Sequence, residues 1–127
     1  VLSIEAKKIK NNFWEVYIEN GRQPTGISVQ DWVLETSDRG VGEILVTSID
    51  NEGTKKGFDY DLIKMVTNSI NIPVIASGGM GDLNHIQKLC ENVKIDGIAM
   101  ANVIHYNKYT ITEIKDFAYR SNIEVRL

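Results

Sequence analysis

Cysteine is almost absent from this chain: Cys90 stands alone in a helical pattern. A single cysteine excludes a disulfide framework and a cysteine-built metal site. Histidine is scarce too, and His85 and His105 lack partners at metal-ligand spacing, so neither a metal nor a cofactor is expected. Long apolar runs are missing. The longest, such as Ile44–Val46 and Ile98–Ala101, are far too short to span a bilayer. Charge of one sign is missing as well. The formal net charge is −3, with acids and bases intermixed, and no basic block argues for nucleic acid or an anionic membrane. No signal-peptide pattern is read, and a soluble, cytoplasmic protein is expected. What is present is a 43% hydrophobic chain of 127 residues, enough for one domain with a real core.

The apolar pattern alternates between two periods. Val1–Ala6 reads as a strand with a polar end at Glu5. Lys7–Tyr17 alternates polar and apolar residues, and Asn20-Gly21 is a strong turn signal, so a β-hairpin excursion is expected there. Ser28 caps a helix of about eleven residues, with Asp31 at its third position and Gly40 past its end. Glu43–Ile49 reads as a strand too continuously apolar to have a wet face. Asp59 caps the next helix, with Leu62, Met65, Val66 and Ile70 inward. Pro73 opens another strand, where a missing N–H is tolerated. Asp82 caps a helix carrying Leu83, Ile86, Cys90 and Val93 at helical spacing. Gly97–Ala101 is a fourth strand. Thr110-Ile-Thr-Glu113 is a capping box, with Ile111, Ile114, Phe117 and Ala118 inward, and Ile123–Leu127 forms a short extended tail.

This β-(hairpin)-α-β-α-β-α-β-α order implies a parallel sheet with right-handed crossovers. Two architectures fit: four βα units of a (β/α)8 barrel, or a small open doubly wound sheet. No Gly-x-Gly-x-x-Gly follows the first strand, so a dinucleotide fold has no support. Chemistry in either case sits at the strand C-terminal ends. Those ends carry Glu5, then Asp50 and Glu52, then Ser77-Gly78-Gly79, then Ala101-Asn102. A carboxylate can move protons, and glycines let backbone N–H groups approach an anion. Two small-residue loops after successive strands match the phosphate site of barrels, built after strands 7 and 8. Each feature also has a plainer reading. Glu5 is then a solvated strand end, Asp50 and Glu52 are turn residues, and Ser77-Gly78-Gly79 is only a tight turn. Trp14 and Trp32 read as packing residues.

Several stretches carry a resemblance. Thr25-Gly-Ile, Asp31-Trp32, the run from Gly42 to Thr54, Gly57-Phe-Asp, Ile75-Ala-Ser-Gly-Gly79 and Val125-Arg126-Leu127 resemble the C-terminal half of the HisF family, the cyclase subunit of imidazole glycerol phosphate synthase. The run Glu-Ile-Leu-Val-Thr-Ser-Ile-Asp-Asn-Glu-Gly-Thr is the most specific part. The Ser-Gly-Gly loop is shared by many phosphate-binding barrels. The resemblance implies a (β/α)8 barrel of two similar halves, each with one phosphate site. The substrate is a nucleotide derivative with a phosphate at each end. Ammonia from a glutaminase partner passes through the barrel, and two aspartates, one per half, act as general acid and base.

Carried to this chain, Glu5 falls where the second catalytic aspartate is expected, and Glu52 where another active-site aspartate sits. Gly53, Thr54, Ser77, Gly78, Gly79, Ala101 and Asn102 fall on phosphate-binding segments, with Asn102 replacing a usual serine; Asp50 joins them at its strand end. Glu43 falls near the ammonia entrance. The two Asp-to-Glu departures leave room for a HisF-like paralogue that supports ammonia-dependent amidation of a surface-polysaccharide sugar. A catalytically inert phosphate-binding half-barrel is a third reading. A whole barrel takes roughly 250 residues. Residues 1–127 are therefore expected to be a C-terminal half-barrel, units five to eight, from a longer chain that begins here inside a strand. Alone it would expose two sheet edges and an apolar face, and so self-associate as a dimer or higher oligomer.

Overall fold

A computed structural model of the chain describes residues 1–126, so the closing Leu127 lies outside the described residues. Among the described residues six strands are formed: β1 (Leu2–Lys10), β2 (Phe13–Ile18), β3 (Gln23–Ser28), β4 (Ile44–Ser48), β5 (Val74–Ser77) and β6 (Gly97–Ala99). Five helices accompany them: α1 (Val29–Asp38), α2 (Tyr60–Ser69), α3 (Leu83–Asn92), α4 (Asn102–His105) and α5 (Ile111–Arg120). The strands make one sheet in the order β3-β2-β1-β4-β5-β6. β1, β4, β5 and β6 are mutually parallel, and β2 and β3 add an antiparallel flank.

The flank contains the expected hairpin as β2 and β3 and places a further turn before it. β1 does not stop near Glu5 but continues to Lys10, turns at Asn11-Asn12, returns as β2, and turns again near Asn20-Gly21 into β3. The alternation read over Lys7–Tyr17 belongs to two strands, separated by the polar Asn11-Asn12 turn. The turn works because Asn12 takes a left-handed backbone, φ 56°, which asparagine tolerates.

The layering decides between the two architectures. Ile4, Ala6, Ile44, Val46, Val74 and Ala76 are buried, and they form one core with Val29, Val33, Leu62, Val66, Ile86, Leu89 and Ile114 of the helices. α1 packs on β2 and α2, α2 on β5 and α3, and α3 on α5, so the helices form one layer on one face. On the other face Glu5, Leu45, Thr47, Ile75 and Ser77 are only half-buried. β4 was expected to be dry on both sides; its burial instead alternates, because only the helix face is covered among the described residues. A doubly wound sheet would carry helices on both faces.

Caps hold the helix starts as the sequence predicts. Ser28 Oγ accepts from Asp31 N–H at 3.3 Å, Asp59 Oδ1 from Leu62 N–H at 3.1 Å, and Asp82 Oδ1 from Asn84 N–H at 3.1 Å. Thr110 and Glu113 form the full capping box. Smaller departures occur nearby. β6 ends at Ala99 rather than Ala101, Ile111 is half exposed rather than inward, and residues 123–126 pair with no strand. Leu89, three residues beyond Ile86, is fully buried and belongs to the inner face of α3.

Asp59 does two jobs, since its second oxygen accepts from the indole Nε1 of buried Trp14 at 2.9 Å. Asp59→Ala removes a cap, worth about 1 kcal/mol, and orphans a buried donor. We expect a loss of about 2–4 kcal/mol in urea unfolding, with Asp59→Asn losing less.

Candidate active site

Most of the predicted site residues meet at one place. At the C-terminal ends of β5 and β6 lies a cleft of about 170 Å³ lined by Glu52, Gly53, Ser77, Gly78, Gly79, Ala101 and Asn102. Met80, Ala99 and Met100 complete it; as ordinary apolar residues they carried no sequence signal.

The glycines have a packing role as well as any anion role. Gly78 and Gly79 sit at φ +97° and +100°, a region that penalises any side chain. A Cβ on Gly78 would lie 2.8 Å from the Ser48 carbonyl oxygen, and one on Gly79 would overlap that of Gly57. The bare backbone lets the loop after β4 lie directly on the turn after β5. Gly57 N–H donates to the Gly79 carbonyl at 2.8 Å, and Asn51 Nδ2 donates to that of Gly57 at 2.8 Å. Asn51 is in turn held by the buried Ser48 hydroxyl at 3.1 Å. The N–H groups of Gly79 and Asn102 donate to no acceptor among the described residues. Asn102 opens α4, where the first helical N–H groups have no internal partner.

Four predicted residues lie outside this cleft. Glu5, Thr47, Ser77 and Ala99 are direct neighbours across β1, β4, β5 and β6. Glu5 therefore shares the open face and the end of the sheet with the cleft, about 10 Å from Ser77 at ~4.8 Å per strand. Asp50 is drawn away: its Oδ2 accepts from Lys8 N–H at 2.8 Å, and it lines a separate groove with Lys8, Lys10 and Phe58. Thr54 closes its own turn by donating to the Asn51 carbonyl at 2.8 Å. Glu43 stands at the opposite end of the sheet, just before β4, half-buried.

Sequence reasoning missed a cluster behind the cleft. Gly81 N–H donates to His85 Nδ1 at 3.2 Å, and Lys108 Nζ donates to the Gly81 carbonyl. Lys108 Nζ lies 3.6 Å from Asp82, which also accepts from the Tyr109 hydroxyl at 3.1 Å. The partners are 27 residues apart, a distance no local pattern reveals. The Asn84 N–H, then the Tyr109 hydroxyl and the Lys108 ammonium, hold the Asp82 carboxyl below its ordinary 3.8. Thr110, through its N–H and then its hydroxyl, does the same to Glu113, below 4.5.

Both groups bind protons less readily when folded. Their stabilisation is complete above the ordinary values and is lost as pH falls through the lower folded ones. We therefore expect the urea midpoint to drop as pH falls below the ordinary carboxylate values, and the double variant Asp82→Asn, Glu113→Gln to flatten that drop.

Among the described residues no group of three His, Cys, Asp or Glu could hold a metal ion, and no helix is long and apolar enough to cross a membrane. Residues 1–110 match the family described as histidine biosynthesis protein. The chain belongs to that family. Over its whole length it is 42% identical to imidazole glycerol phosphate synthase subunit HisF of Dictyoglomus thermophilum. It spans about half the length of that relative. The HisF-type fold of the histidine biosynthesis family is a (β/α)8 barrel. Four parallel strands with all helices outside make this chain part of one.

Proposed function

We propose that this chain is the C-terminal half-barrel of a cyclase of the imidazole glycerol phosphate synthase type. The whole enzyme uses ammonia from a glutaminase subunit to close an imidazole ring, forming imidazole glycerol phosphate and aminoimidazole carboxamide ribonucleotide. The observation that carries the reading is the shared cleft of the Ser77-Gly-Gly turn and Asn102. Its free amides, from Gly79 and the first turn of α4, suit one terminal phosphate of the substrate. Glu5, on the open face at the same end, is the general acid or base of this half, and Glu52 on the cleft wall is the second carboxylate. Ammonia enters at the far end, past Glu43. No cofactor takes part, and the work is done in the cytoplasm.

The test is ammonia-dependent turnover of the formimino-nucleotide substrate by the full-length protein. Turnover supports the cyclase. Phosphate binding without turnover leaves an inert phosphate-binding barrel, and no phosphate binding rejects the reading altogether. Glutamate at both usual aspartate positions favours one alternative, a paralogue supporting amidation of a surface-polysaccharide sugar; turnover of a sugar carboxylate instead of the nucleotide would establish it.

The half-barrel by itself also has a free edge at β6 and an apolar groove beside it, lined by Ile98, Met100, Ile104, Ile114 and Val125. It is expected to form a dimer or higher oligomer; a monodisperse monomer in sedimentation velocity would count against this.

A further inference from the structure

We infer that Lys108 and His85 are positioning residues that set the anion affinity of the cleft without touching the anion. The inference rests on the phosphate reading above. Two facing parts of the cleft are the turn after β5 and the start of α4, with the loop after β4 completing its lining. Lys108 bridges them. Its backbone N–H donates to the Val103 carbonyl of α4 at 2.9 Å, and its ammonium reaches across to the carbonyl of Gly81. The other polar group of Gly81, its N–H, is taken by His85 Nδ1.

Gly81 is buried and presses against the backbone of Lys55, leaving no room for a Cβ. At the other end of the turn, the Gly79 carbonyl is held by Gly57. The stretch from the Gly79 carbonyl to Gly81 is therefore held at both ends, directly beside the unpaired Gly79 N–H. Donors fixed before the ligand arrives bind it without a loss of freedom at that moment. Releasing Gly81 frees the turn to move relative to Asn102, and the spacing of the two donors across the cleft is no longer fixed.

A surface role makes a different forecast. The Lys108–Asp82 pair is about half exposed on both sides, with side-chain exposures of 47% and 42%. Such pairs add little stability. If Lys108 were only a surface ion pair, its loss would change neither stability nor anion binding.

The experiment titrates the full-length protein with inorganic phosphate and follows the Gly79 amide resonance. Lys108→Met and His85→Leu are expected to bind about tenfold more weakly, the scale of one positioned hydrogen bond, with unfolding temperatures within a few degrees of the parent. Lys108→Arg keeps a donor and His85→Asn keeps an acceptor at the same reach, so both should stay within about threefold. Unchanged affinity in Lys108→Met and His85→Leu, with a parent protein that binds, overturns this inference and leaves the phosphate reading standing. Equal weakening in the Arg and Asn variants overturns it too. A parent protein that binds no phosphate removes the phosphate reading, and the inference falls with it.

Discussion

Gly79→Ala is expected to destabilise the protein by about 3–5 kcal/mol, more than an ordinary surface substitution by far. Two effects add. The backbone at φ +100° is strained for any L side chain, and the new methyl would overlap the Gly57 carbonyl oxygen. The strand-end loops would have to separate, breaking the Gly57-to-Gly79 hydrogen bond and unseating Asn51 from the Gly57 carbonyl. Phosphate binding should vanish in the same variant. Gly42→Ala is the control, since a Cβ there meets nothing within 4 Å; it should stay within about 0.5 kcal/mol. Urea unfolding of the three proteins measures the difference. If Gly79 served only to let an anion approach, the alanine variant would lose binding and keep its stability.

Glu5→Gln is expected to lower ammonia-dependent turnover of the full-length enzyme by about 10²–10⁴-fold, the usual contribution of a general acid or base. Stability should hardly change. The Glu5 side chain makes no hydrogen bond or ion pair among the described residues and is half-buried on the face away from the helices. Glu5→Asp is the sharper probe. It keeps the charge and withdraws it by about 1.5 Å, a displacement that costs about 10²-fold where the site is built around glutamate. A gain in rate instead would mean that the surrounding barrel is still spaced for aspartate. Full activity in Glu5→Gln would remove this residue from the chemistry.

How legible these features were varied with their range along the chain. All four long-helix caps were readable, because Ser28, Asp59, Asp82 and Thr110 each act on an N–H within three residues. That β1, β4, β5 and β6 run parallel followed from the alternation of elements, whereas their sequential order was not fixed by it. The turn at Asn11-Asn12 lies in the polar run Lys10-Asn11-Asn12, and the apolar positions change parity near it, from Ile9 and Phe13 to Trp14 and Val16. The placement of Asp50 was hidden. Beside Glu52 in sequence, it is claimed by the Lys8 N–H across the sheet, 42 residues away. Thr54 sits in a stretch that resembles a phosphate segment, yet its hydroxyl is used by its own turn.

The sequence by itself determined the period of each element, the helix starts and the presence of two glycine- and small-residue loops after successive strands. These are local properties, governed by side-chain spacing and by hydrogen bonds within one turn. Only the tertiary structure decided that the helices share one face, that the two loops line a single cleft, and that Gly79 must lack a side chain to let Gly57 approach. It also decided that Lys108 joins the two walls. Each of these depends on groups brought together from tens of residues apart, where the strand register sets the distance and no residue's neighbours in the chain record it.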